Sequence, residues 1–140
     1  MSSLHKNILK LGLFPFLVYL ANNAIETFAQ SFYLIYSVDT LSHFLGGLSI
    51  AYSANYALSL MEKKNWIHIK KTILRIGIIV STVMTFAVLW EFYEFTSDQF
   101  LGTAMQPNSA DLIKDLSMGM LGAIIFCVAR SYRTNKKLFS

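Results

Sequence analysis

Charge is scarce in this chain. Asp, Glu, Lys and Arg together make up only 14% of its 140 residues, against ~25% in an average soluble domain. The single cysteine, Cys127, excludes an internal disulfide and any metal cluster built on several cysteines of one chain. Two prolines and seven glycines exclude a collagen-like or low-complexity segment. What fills the chain instead is hydrophobic residues, at 54%, with a mean hydropathy of +0.47. That is the composition of a membrane protein. At this length it leaves room for a few spanning helices and little else.

A helix crossing a bilayer needs ~20 mostly apolar residues, because backbone polar groups in lipid must pair within the segment. Four stretches qualify, at about 8–25, 40–61, 73–94 and 110–131. The fold expected is an all-α bundle of four transmembrane helices forming a single integral membrane domain over residues 1–140. Short connections imply antiparallel neighbours. Pro15 in the first stretch is tolerable as a kink. Lys6 and Lys10 before an apolar run could suggest a cleaved signal peptide, but Thr27-Phe28-Ala29 is a poor cleavage site and the run is long. A retained anchor is the better reading.

The basic residues set the orientation. Every lysine and arginine except Lys114 falls in the N-terminal segment, the loop between the second and third stretches, or the C-terminal tail. The positive-inside rule makes those segments cytoplasmic and puts both termini inside. The net charge of +4 is then topology and attraction to lipid headgroups, not a nucleic-acid footprint. Every acid except Glu62 lies at or near the opposite, outer ends: Glu26, Asp39, Glu91, Glu94, Asp98, Asp111 and Asp115. Phe32, Tyr33, Tyr36, Trp90, Tyr93 and Phe95 fit an interfacial aromatic belt at that level, and the segment 31–38 is expected to lie along the surface.

Helical spacing sorts the acids onto faces. Asp39 and His43 are four residues apart, followed by Gly46 and Gly47, where a second helix could approach closely. Glu91, Glu94 and Asp98 form one stripe on the third span. Asp111 and Asp115 form another on the fourth, continued by Gly119 and Gly122. Asp39 and Asp111 open helices, so N-capping and the helix dipole could account for both. Glu91 and Glu94 resist that explanation, because they sit at a helix C-terminal end, where the dipole disfavours negative charge. An ionised acid deep in a span costs at least ~2.5–3.5 kcal/mol, less when shallow, so such groups usually have a partner or a function. Lys114 reads as a surface ion pair with Asp111 or Asp98. Asn22, Asn23 and Asn55 are expected to hydrogen-bond between helices, and Cys127 to face lipid or a neighbouring helix.

A divalent cation is the simplest occupant for such a set, with Asp39, His43, Glu91, Glu94, Asp111 and Asp115 as candidate ligands. Oxygen-rich sites with one imidazole suit Mg, Mn, Zn or Fe. Without a metal, the carboxylates must share protons, which is the chemistry of a relay or of a general acid and base. Glu91 and Glu94 are the candidate catalytic pair.

Asp39-Thr-Leu-Ser-His43-Phe-Leu-Gly-Gly47, Glu91-Phe-Tyr-Glu94, Phe100-Leu-Gly-Thr103, Pro107, Asp111, Asp115 and Gly122-Ala123 resemble, in order and rough spacing, the YjdF-like family of bacterial inner-membrane proteins. The resemblance covers about residues 35–130, although Glu94-Phe95 stands where that family often has Glu-Trp. A looser similarity extends to VanZ-like proteins. The resemblance implies a multi-pass protein of the bacterial inner (plasma) membrane and supplies no activity. Three functional readings follow. The first is a metal-dependent hydrolase or transferase acting on a lipid-linked or envelope substrate at the outer leaflet. The others are a proton or cation transport protein, and a non-catalytic membrane accessory protein.

Overall fold

The computed structural model of the chain describes the backbone of residues 3–28, 32–103, 105–106 and 108–136, and the side chains of 5–25, 38–103, 105–106 and 108–133. Ser31, Pro107 and Lys137, and the side chains of Glu26, Phe32, Tyr33, Tyr36 and Lys136, lie outside that description. Among the described residues there are four helices: α1 (Ser3–Phe28), α2 (Phe32–Lys63), α3 (Thr72–Leu101) and α4 (Ser109–Lys136). Each runs beyond the apolar stretch that specifies it. The segment before Thr40, expected to lie along the surface, is continuous helix with the rest of α2 from Phe32 onward. Pro15 sits inside α1 without ending it.

The helix ends follow from local chemistry. Asn65 closes α2 in the left-handed region, with φ 58°, a conformation that asparagine tolerates better than most residues. Around it the Trp66 amide donates to Met61 O at 3.0 Å and the Asn65 amide to Glu62 O at 3.0 Å. These are the paired bonds of a Schellman cap, made here without glycine. Gly102, at φ 67°, closes α3. Asn108 opens α4, its Oδ1 accepting from the Ala110 and Asp111 amides at 2.9 and 3.1 Å.

Three of the helices, over His5–Ile25, Thr72–Leu101 and Ser109–Arg133, are long and apolar enough to cross a membrane. The central α2 is more polar, for a packing reason: it lies against all three other helices, whereas the backbone of α1 approaches only α2 among the described residues. Its serines and asparagines therefore face protein. Ser53 Oγ donates to Leu11 O at 2.7 Å, Tyr56 Oη to Asn7 Oδ1 at 2.9 Å, and Asn55 takes a bond from α3. Asn55 is thus interhelical as expected, whereas Asn23 donates within α1, to Tyr19 O at 2.8 Å. Lipid-facing side chains such as Phe16, Leu74, Phe92 and Val128 are exposed, as a bilayer solvent permits.

α2 and α4 run parallel and touch backbone to backbone. A Cβ at Gly47 would fall on the Gly119 backbone, and one at Gly122 on Phe44 O and, at 2.8 Å, on Leu48 N. Gly46 has nothing within 4 Å of its Cβ position, so of the two glycines expected to admit a helix only Gly47 does. α1 and α3 run antiparallel to α2. Below the glycine contact lies an apolar core of Ala51, Ile79, Val83, Ala123 and Cys127.

The basic end is closed by a clasp between α2 and α3. Arg75, 7% exposed, donates to Glu62 Oε2 at 2.6 Å, Asn55 Oδ1 at 3.0 Å, Ser59 Oγ at 2.7 Å and Asn55 O at 3.1 Å. A guanidinium has donors for all four. Its proximity holds the Glu62 carboxyl below the usual carboxylate range.

Two outcomes are expected. Gly47→Ala and Gly122→Ala each lower stability by ~1–3 kcal/mol through overpacking, while Gly46→Ala and Gly77→Ala leave the melting temperature in detergent unchanged. Because the folded-state value of Glu62 is depressed, its contribution is complete above the ordinary carboxylate range and lost as pH falls through the lowered value. The melting temperature of wild type minus that of Glu62→Gln is therefore largest near neutrality and shrinks in acid.

Candidate functional site

At the acid-rich end, three helices turn their polar stripes toward one point. On α2, Asp39 and His43 stack one turn apart, with His43 Nε2 3.3 Å from Asp39 Oδ1. On α3, Glu91 and Glu94 share a face and are both buried. On α4, Asp111 and Asp115 are buried one turn apart. The parallel α2–α4 contact sets the register of the first and third stripes. Antiparallel α3 supplies the second at the same level, where His43 Nδ1 lies 3.9 Å from Glu91 Oε1.

Lys114 stands at the centre of one half of this cluster. Its Nζ is 2.6 Å from Asp111 Oδ1, 3.1 Å from Asp39 Oδ2 and 3.2 Å from Asp115 Oδ1. The expected ion pair with Asp111 is present, but not as a surface pair: the lysine is mostly buried, it joins α2 to α4, and Asp98 is not among these acid partners. The capping and dipole account fails for Asp39, which lies inside α2, well past its start. Asp111 is not the cap of α4, which is Asn108, but it lies in the first turn, where the helix dipole favours an acid. A single ammonium shared by three carboxylates reduces the electrostatic cost of holding them together away from water.

The other half is built on α3 and the loop after it. Asp98 accepts bonds from Thr103 Oγ1 at 2.6 Å and from the amides of Met105 and Gln106 at 2.8 Å each. That folds the loop back over the helix end, and the Gln106 side chain then donates to Glu91 Oε2 at 2.8 Å. Asp98 is therefore a positioning residue, one step removed from the cluster. Trp90 Nε1 donates to Glu94 Oε1 at 2.7 Å, so this belt aromatic also orients an acid. The i, i+4 spacing of Trp90 and Glu94 was visible in the sequence. Gln106 lies in a loop with no periodicity to mark it.

Two oxygens stand out. Glu91 Oε1 and Asp115 Oδ1 are buried with no hydrogen-bond donor, on residues 3% and 2% exposed. Asp115 Oδ1 has only the ionic contact with Lys114 at 3.2 Å. Buried carboxylate oxygens are ordinarily satisfied, and each exception asks for an explanation. Three overlapping sets place ligand atoms within 4.8 Å of one another: Asp39, His43 and Glu94; His43, Glu91 and Asp115; and Asp39, Asp111 and Asp115. All six residues singled out in the sequence come together. The third set already surrounds Lys114, whereas the second contains both unsatisfied oxygens.

Removing the lysine charge tests this balance. Lys114→Met leaves three carboxylates without their shared cation. It should destabilise by an amount at or below the ~3–5 kcal/mol of a broken buried pair, since the lysine retains some exposure. Adding Asp111→Asn recovers part of the loss, and both are read from melting temperatures in detergent.

Neither a curated protein nor a solved structure matches this chain. A family match does cover nearly all of it, over residues 5–136, and is consistent with the YjdF-like resemblance of its motifs. The chain belongs to the family described as predicted membrane protein DUF2238.

Proposed function

We propose that this protein is a metal-dependent enzyme of the bacterial plasma membrane, a hydrolase or transferase acting on a lipid-linked or envelope substrate at the outer leaflet. The observation that carries this reading is a pair of buried oxygens short of hydrogen bonds, Glu91 Oε1 and Asp115 Oδ1, the latter with only its ionic contact to Lys114, which share with His43 one set of ligand atoms within 4.8 Å of one another. His43, Glu91 and Asp115 are the ligand set, and one imidazole with two carboxylates suits Mn, Fe or Zn. Asp39 orients the imidazole from its other side, as second partners of ligand histidines do. Glu94, held by Trp90, is the general base, and Lys114 supplies the fixed positive charge among Asp39, Asp111 and Asp115. A bound divalent ion contributes Lewis acidity and a more acidic water.

Transport across the bundle is the weaker reading. The apolar core of Ala51, Ile79, Val83 and Ala123 separates the acid cluster from the Arg75–Glu62 clasp. Within that clasp the guanidinium is fully engaged. A reaction confined to one face fits this layout better than a proton path through it.

The test is elemental analysis of the purified protein after incubation with Mn, Fe(II) or Zn. About one ion per chain is expected in wild type and in Glu94→Gln, with at least a tenfold lower content in Glu91→Gln and Asp115→Asn. A wild type that takes up no ion, with the two ligand variants melting as it does, overturns the proposal.

A further inference from the structure

Among the described residues no backbone contact joins α1 to α3; each packs on α2 from its own side. The space between them is a cavity of about 240 Å³. Its walls are mostly apolar, with Val18 from α1, Ile50 from α2, and Val83 and Phe86 from α3; Asn22, Ser42 and Ser49 also line it, and its polar end is Asp39 and His43. That volume lies just under the ~300–1,000 Å³ of pockets that enclose a whole drug-sized ligand. Gly46 lines it with no atom within 4 Å of its Cβ position. Thus adjacent glycines do opposite things: Gly47 lets α4 in, and Gly46 leaves the groove open. At the lips, Tyr19 is 46% and Phe86 53% exposed, so the groove faces the same hydrocarbon that solvates α1 and α3. Tyr19 and Trp90 meet edge to face across it, with ring centroids 6.0 Å apart.

We propose that this groove holds one acyl chain of a membrane phospholipid, which enters sideways between α1 and α3 and places its headgroup at Asp39 and His43. The dimensions identify the occupant. From Asp39 to Ile50 the groove follows α2 for about 16 Å at ~1.5 Å per residue, which is half the ~30 Å hydrocarbon core and so the depth of one leaflet. The mostly apolar walls offer water few polar partners, and an empty groove would forfeit dispersion contacts that a lipid chain supplies. The headgroup's role rests on the enzymatic reading above, because bare carboxylates repel a phosphate and a divalent ion is needed to join them. Seating of the chain depends on the groove alone.

The experiment uses the whole protein reconstituted in phosphatidylethanolamine–phosphatidylglycerol vesicles and re-extracted into mild detergent, with retained lipid counted by native mass spectrometry. Wild type should keep about one phospholipid per chain, with or without a chelator. Gly46→Leu fills the open space and should reduce retention at least tenfold with no loss of melting temperature. Val18→Trp, blocking the opposite wall, does the same should the first variant fold poorly, while Leu17→Trp on the exposed side of α1 retains lipid. Absence of retained lipid in wild type, or equal retention in both groove variants, overturns the proposal. So does displacement of the phospholipid by polyprenyl phosphate added at equal mole fraction. Lipid retention without metal uptake leaves the groove standing and removes the enzymatic reading, and metal uptake without lipid retention does the reverse.

Discussion

The close parallel contact of α2 and α4 is the constraint on which the rest of the structure depends. Without a hydrophobic driving force between helices in lipid, association relies on backbone approach and interhelical hydrogen bonds. Gly47 and Gly122 supply the approach, since a Cβ at either would strike the backbone of the other helix. That contact sets the axial register of the two helices, and through it places Asp39 within reach of Lys114. A shift of one turn along either helix would separate those charges by ~5 Å and leave Asp39 without its cation, while Asp111 and Asp115 stay with Lys114 on α4.

Given that register, the electrostatics divide the bundle into two ends with different solutions. At the basic end a single arginine satisfies everything around it, and its clasp is closed: every guanidinium nitrogen has a partner and Glu62 is paired. At the acidic end five carboxylates and an imidazole share one lysine, and two oxygens are left over. A purely structural network tends to resemble the first arrangement. The second carries unresolved negative charge next to a groove open to the bilayer, and that asymmetry argues for chemistry at one face.

Positioning is shared between helices and loop. α2, α3 and α4 deliver the acids by helical spacing alone. The loop after α3 adds a layer that spacing cannot supply: Asp98 gathers Thr103, Met105 and Gln106, and Gln106 fixes Glu91. Among the described residues α1 packs its backbone on α2 only. Its position beside α3 defines the groove, and its Tyr19 reaches Trp90 across the gap.

Much of this was legible in the chain. Hydropathy located the apolar parts of four helices, because bilayer thickness and backbone pairing leave few alternatives, but not all of their ends: α2 begins at Phe32 and α3 runs on to Leu101. The segregation of lysines and arginines from acids described both ends of the bundle. Period-four spacing collected Asp39 with His43 and Asp111 with Asp115, since side chains one turn apart share a face. Sequence alone could not say which face meets which neighbour. That is a matter of helix register and rotation, settled by where glycines admit a second backbone. Hence Lys114 looked like a surface residue and lies at the centre of three acids, and Gly46 looked like a contact and opens onto a groove. Gln106 carried no signal because its place depends on a loop folded by Asp98. The sequence determined what the helices are and which charges lie at each end; the tertiary structure decided which of those charges are paired and where the cluster is left open.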